Sequence, residues 1–351
     1  MKITGLKYSV HPIDIAINAV QRETISDDGD LAEYVTMLIG SKMFETEGRK
    51  FEWKSATAPI PKLLSELCAV DGKFEVHTQT LAERLHEKER DAQKKVAQLK
   101  VQVQRGSLLQ IIFRNNNRPH VLLVKVHLAQ FLGEKNYKKQ NGFPLENTVL
   151  KMALIEFTDE YLPDSVSIAD SNAQLAEYWW KELLELTELT TDEYNTKTAL
   201  NAMDSLLGRK LKKDHRTDYY HLRNNLLGYF RTNGNYNHTK MLTQVFGDYQ
   251  PVDSRVKIEA LRDAAAELPA RNKFDPRFSI QPEFVNKRRK TTIALTEQID
   301  LEIKDAIENM RDTIHAATLQ DGTRGVFIRS PEGFDVFGAA HTNESAITTQ
   351  E

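Results

Sequence analysis

The segment 107–128 constrains the fold more tightly than any other stretch of the chain. Positions 107–113 form an apolar run, and 114–119 read Arg-Asn-Asn-Asn-Arg-Pro. Positions 120–128 then return with Leu122, Val124, Val126 and Leu128 alternating with Lys125 and His127. Successive strand side chains point to opposite faces, and Asn and Pro favour turns, so the pattern is a β-hairpin whose return strand has one apolar face. His120 and His127 fall on opposite faces of that strand, which argues against a shared metal site.

A strand at 3–10 precedes it, broken by Pro12, and helices are expected over 30–44 and from Pro61 onward. Over 78–103, Leu81, Leu85, Ala92, Val96 and Leu99 lie within about 60° on a helical wheel. That stripe fits a helix lying on its own domain, or an arm pairing with another helix or subunit; Lys88 interrupts the seam. Positions 134–142 are loop-like, and 149–157 reads as a strand or a short helix.

From Ser171 the periodicity is helical. Leu175, Trp179, Leu183 and Leu186 form one stripe; a helix over 191–212 buries Ala199, Met203, Leu206 and Leu207; a helix over 217–232 buries Tyr219, Leu222, Leu226 and Phe230. Helices over 239–246 and 254–267 extend this bundle. Positions 272–282 read as a linker, 290–303 as an alternating strand region, and 325–337 as a hairpin turning at 330–333. The expected class is α+β: an N-terminal helix-and-sheet domain (1–142), a central strand and helical bundle (143–271), a linker and small β-rich unit (272–337), and a flexible tail (338–351).

At 351 residues the chain has room for two or three cores. Cys68 is the single cysteine, which excludes an internal disulfide and a four-cysteine zinc site and points to a reducing cytoplasm. No run approaches the roughly 18 apolar residues of a membrane span, and the first residues lack a signal-peptide core, so a soluble, unexported protein is expected. A net charge of −3 excludes a histone-like coat acting by bulk positive charge.

That average hides two opposite segments. Positions 156–193 hold eleven acidic residues and one Lys, whereas 205–240 hold eight Lys and Arg against Asp214 and Asp218. The basic segment carries Arg209, Lys210, Lys212, Lys213, Arg216, Arg223 and Arg231, interleaved with Tyr219, Tyr220, Tyr229 and Tyr236. A second cluster is Lys287, Arg288, Arg289 and Lys290. Lys and Arg neutralise phosphates while Tyr stacks or hydrogen-bonds, so these eleven cations are the candidate nucleic-acid contacts; an ordinary solvated helix end is the competing reading. Arg223 lies in the middle of an apolar helix face, which requires a carboxylate partner, expected from the acidic stretch, or a ligand.

No phosphate loop, nucleophile elbow, zinc-protease helix or dinucleotide fingerprint is present. Glu52 and Lys54 have the E-x-K spacing of metal-dependent nucleases, with Asp27, Asp28 or Asp30 as an upstream acid, a triplet that arises easily by chance in so charged a chain. The sequence argues against catalysis only by silence; no cofactor or metal is expected, and a metal-dependent nuclease built on Glu52 and Lys54 is the least favoured reading.

The strings YWWKELLEL (178–186), NTKTALNA (195–202), LKK (211–213), DYY (218–220), LRNNLLGYF (222–230) and VFGDY (245–249) resemble the bacterial nucleoid-associated proteins of the NdpA (YejK) type. The segments LLVKV (122–126) and LIEF (154–157) are similar to that family as well. The resemblance implies a cytoplasmic, non-enzymatic protein of the nucleoid that binds double-stranded DNA. RNA, type II topoisomerase subunits and a second copy of the chain are further candidate partners. It places function on Arg209, Lys210, Lys212, Lys213 and Arg223, which lie within or beside the matching strings. The alternative is an adaptor whose acidic 156–193 surface, with Glu182, Glu185 and Glu188, docks a protein.

Overall fold

The computed structural model describes residues 2–25, 29–41, 48–69, 72–99, 102–132, 134, 137–145, 150–172 and 174–337. The chain forms two compact units, one of 1–195 with 274–279 and one of 196–273 with 280–351, and its helices and antiparallel strands make it α+β.

In chain order the first unit has β1 (Ile3–Ile13), α1 (Gly29–Ile39), β2 (Arg49–Glu52), α2 (Pro59–Ala69), α3 (Phe74–Val96), β3 (Gly106–Asn115) and β4 (Arg118–His127). The small hairpin of β5 (Ala129–Leu132) and β6 (Lys139–Gly142) follows, then β7 (Leu150–Phe157), β8 (Pro163–Asp170) and β9 (Thr187–Glu188). Seven strands make one antiparallel sheet in the order β1-β3-β4-β7-β8-β2-β9. The expected hairpin forms with Asn115 opposite Arg118. Asn116 and Asn117 occupy its turn at φ of 50° and 70°, the left-handed region that Asn tolerates and that matches strand twist. Positions 150–157 are a strand paired with β4, so a boundary at 142/143 runs through a continuous sheet. The helix expected from Ser171 shrinks to a π-helical turn, Tyr178–Leu183.

The hairpin's second face departs from expectation, because it too is covered. Tyr34, Val35 and Leu38 of α1 pack on Leu109, Leu122 and Val124 on one side. Leu64 of α2 with Leu81 and Leu85 of α3 pack on Leu108, Val121, Leu123 and Ile155 on the other. Thus α3 lies on its own unit's sheet. Its buried stripe continues through Glu89, whose side chain is 1% exposed, and Glu89 meets the fully buried Lys125 ammonium at 2.9 Å. Beside it Lys151 pairs with Asp170 at 2.6 Å, and Lys151 is the register neighbour of both Lys125 and Asp170. Burial pushes the Glu89 carboxyl up and the Lys125 ammonium down, and each charge opposes the other's shift. Gly106 completes the fit: a Cβ there would stand 2.0 Å from the Val126 carbonyl oxygen and 3.1 Å from Lys125 Cε.

The expected linker is also corrected, since 274–279 belongs to the first unit. Buried Asp275 accepts hydrogen bonds from the Thr190 hydroxyl (2.7 Å), the Asn195 amide (3.0 Å) and the Lys50 backbone N–H (3.1 Å). It also pairs with Arg49, which in turn meets Glu188 and Asp192. Phe274 and Phe278 are buried as well, but two apolar residues in so short a segment leave no period to read, and the rest of the anchoring is polar.

The second unit contains α4 (Asp192–Leu211) from Thr196 onward, α5 (Arg216–Thr232), α6 (His238–Phe246) and α7 (Ile258–Ala266). The eight apolar positions expected to be buried on α4 and α5 are buried. In its C-terminal part the 290–303 region is a hairpin, Thr291–Ala294 with Asp300–Ile303. The strand Arg324–Ile328 pairs back with Ile314–Thr318 rather than forward, because Pro331 starts a helix, Pro331–Phe337. The 338–351 tail lies outside the described residues.

His238 at the start of α6 is buried as a neutral ring. Its Nε2–H donates to the Ala265 carbonyl oxygen at 3.0 Å, and its Nδ1 accepts from the Tyr236 hydroxyl at 2.7 Å. Burial lowers its pKa from 6.5 to about 4, and it does the same to His11 and His127 in the first unit. The unfolded chain therefore takes up the proton first, so this stability is complete above about pH 6.5 and is lost as pH falls toward 4. For His238 alone the full window corresponds to about 3 kcal/mol. His238→Gln is expected to flatten that part of a stability-against-pH curve followed by circular dichroism; an unchanged slope contradicts this assignment.

Candidate nucleic-acid interface

The turn between α4 and α5 presents a run of exposed cations. Leu207 and Leu211 bury the inner side of the last turns of α4, which leaves Arg209 and Lys210 exposed; Lys212, Lys213 and Arg216 are exposed beyond the helix end. α4 ends at Leu211, so Lys212 and Lys213 lie past its buried stripe. Among the described residues no carboxylate pairs with any of these five. The Lys212 ammonium lies 5.8 Å from the Tyr219 ring.

Asp218 sits in the first turn of α5, but it does not neutralise the run. It is buried and accepts from the Tyr249 hydroxyl (2.6 Å), the Val252 N–H (2.7 Å) and the Asp253 N–H (3.1 Å). This clamp places Asp253 against His215 Nδ1 at 2.8 Å. The Arg255 guanidinium, donating to Asp253 at 2.6 Å, holds that carboxyl well below the usual range. Arg255 and Lys257 thereby line a shallow cavity of about 180 Å³ together with Lys210, Leu211 and His215. Sequence reasoning passed over these two cations because more than forty positions separate them from Lys210.

The other candidates are engaged within the unit. Arg223 does have its carboxylate, but from Asp204 of α4 at 2.9 Å rather than from the acidic stretch. Its remaining donors reach the Thr291 hydroxyl and the Arg288 carbonyl, so it joins α5 to the 288–291 segment. Arg231 pairs with Asp305 at 2.6 Å, with Arg289 3.9 Å from the same acid. Arg288 lies 3.9 Å from Asp204, Lys290 3.1 Å from Glu302, and the Lys287 ammonium 5.3 Å from the Phe284 ring. The second cluster therefore lies beside α4 and α5; Lys290 is paired one to one, whereas Arg288 and Arg289 lie at 3.9 Å from acids that already pair with Arg223 and Arg231, and Lys287 has no carboxylate partner among the described residues. Tyr229 and Tyr236 are core residues: the Tyr229 hydroxyl donates to the Asn237 carbonyl and Tyr236 bonds His238. Tyr219 is buried as well, which leaves Tyr220 half-buried.

Much of the acidic stretch is ion-paired within the first unit, with Arg49 shared by Glu188, Asp192 and Asp275. Glu182 pairs with Lys95, Glu185 with Arg84, Glu188 and Asp192 with Arg49, Asp164 with Arg118, and Asp170 with Lys151. Glu52 and Lys54 are exposed, Asp30 opens α1, and Asp27 and Asp28 lie outside the described residues. Among the described residues no three His, Cys, Asp or Glu could hold a metal ion, and no helix is long and apolar enough to cross a membrane. No model of a known protein family matches the chain, and no curated protein matches it in sequence.

Proposed function

We propose that this protein binds double-stranded DNA through phosphate contacts from Arg209, Lys210, Lys212, Lys213 and Arg216, with Lys257 at the flank, and without reading base sequence. The observation that carries the reading is that these five cations are exposed and without a carboxylate partner among the described residues, whereas Arg223, Arg231 and Lys290 are each held in an ion pair at 3.1 Å or less. Charge placed this way releases counterions from a phosphate backbone but offers no rigid donor pair to a base edge. The resemblance to nucleoid-associated proteins of the NdpA type supports the same reading and a place in the nucleoid. Binding alone, with no catalytic step, accounts for the arrangement. RNA carries the same phosphates and is the second candidate ligand. The adaptor reading, including docking to a topoisomerase, is weakened by the internal ion pairs of Glu182, Glu185 and Glu188.

Fluorescence anisotropy with two duplexes of unrelated sequence and one single-stranded RNA tests this. Closely similar affinities for the two duplexes, weakening together as salt rises, are expected. A strong preference for one duplex would replace the proposal with base readout, and binding to the RNA alone would reassign the ligand.

A further inference from the structure

The strands Ile314–Thr318 and Arg324–Ile328 form a two-stranded hairpin followed directly by the helix Pro331–Phe337. All five residues of the second strand are exposed, and none of the helix side chains is buried. The exposed residues are nevertheless apolar: Val326 is 47% exposed, Phe327 36%, Ile328 40%, Phe334 64%, Val336 78% and Phe337 86%. A lone two-stranded hairpin is marginal in water, and a helix this short does not persist without packing. Something must cover this arm.

We infer that a second copy of the same arm covers it, in an isologous dimer around a two-fold axis. The first argument is area. With aromatic side chains of about 200 Å² and smaller aliphatic ones, the six residues expose roughly 600 Å² of apolar surface per chain. Val326 and Ile328 share one strand face and Phe334 and Phe337 one side of the helix, so two copies bring together about 900 Å² of apolar surface in one interface, which a polar rim carries to the lower bound for a stable one. The second argument is charge. Positions 314–337 hold Asp321, Glu332 and Asp335 against Arg324 and Arg329, a net charge of −1. A nucleic acid gains little from such a surface, whereas a copy of itself meets both signs with little net repulsion. The third is geometry: a two-stranded hairpin has two unpaired edges, and a two-fold axis lets one edge pair with its own copy into a four-stranded sheet.

Sedimentation equilibrium of the full chain across a dilution series tests the inference. The expected mass is twice 40.2 kDa, falling to 40.2 kDa for a Phe334→Glu, Phe337→Glu double variant that keeps the main helical and sheet signal in circular dichroism and loses at most the contribution of the arm. Val326→Asp is expected to weaken the dimer independently. A wild-type mass of 40.2 kDa throughout the series overturns the inference. So does a wild-type dimer that both variants leave intact, because the interface then lies elsewhere. A wild-type monomer that becomes a dimer only when 338–351 is removed assigns the cover to the chain's own tail and overturns it too.

Discussion

Reversing three charges at the turn between α4 and α5, with Lys210→Glu, Lys212→Glu and Lys213→Glu together, is expected to abolish the gel shift of duplex DNA while leaving the melting temperature unchanged. Each reversal removes a phosphate contact and sets a carboxylate against the backbone. The expected loss is at least about a hundredfold in affinity at moderate salt. The fold should tolerate the change because all three side chains are exposed, and the one ring contact among them is Lys212 over Tyr219. Arg223→Ala is the informative control. It strips the partner from Asp204 and cuts the bonds to Thr291 and Arg288, so it should lower the melting temperature. Unchanged DNA affinity in the triple variant, with the fold intact, moves the site elsewhere.

Breaking the buried pair under the sheet should have the largest effect on stability. Lys125→Met leaves the Glu89 carboxylate in a site where both partners are at most 1% exposed, and a buried pair broken from one side typically costs about 3–5 kcal/mol. In a unit of this size that corresponds to a fall of roughly 6–20 °C in melting temperature. The double variant Glu89→Leu, Lys125→Met replaces the pair by apolar groups of similar volume and should recover most of the loss. Thermal unfolding of both variants checks the account, and a Lys125→Met chain as stable as the wild type contradicts it.

What sequence made legible here depended on whether the signal was local. The hairpin was readable because Asn116 and Asn117 tolerate left-handed backbone and the flanking residues alternate. The long helices α4 and α5 were readable because Met203, Leu207, Leu222 and Leu226 keep the helical period. Lys125 was misread as a residue on an open face. Alternation places it opposite Val124 and Val126, but it cannot say whether that opposite face meets water or α3, and the neutralising Glu89 lies on another element. The 274–279 segment was missed for the same reason, being held by Asp275 through polar bonds to Thr190, Asn195 and Lys50. In the candidate interface the basic run at 209–216 was visible as composition. That Arg223, Arg231 and Lys290 are held in ion pairs was not, because their partners Asp204, Asp305 and Glu302 lie far from them in sequence or on another element. The convergence of Arg255 and Lys257 on Lys210 follows from the Asp218 clamp on the 249–253 loop, a tertiary contact without periodic trace.

The most direct test of the central claim is the salt dependence of duplex DNA binding by the wild-type chain. Five to six phosphate contacts predict a straight line of log K against log salt with a slope of about −4.5 to −5.5, the triple charge-reversal chain showing no measurable binding at the same salts. A slope near zero, with affinity held from low to moderate salt, would contradict phosphate contact as the basis of binding.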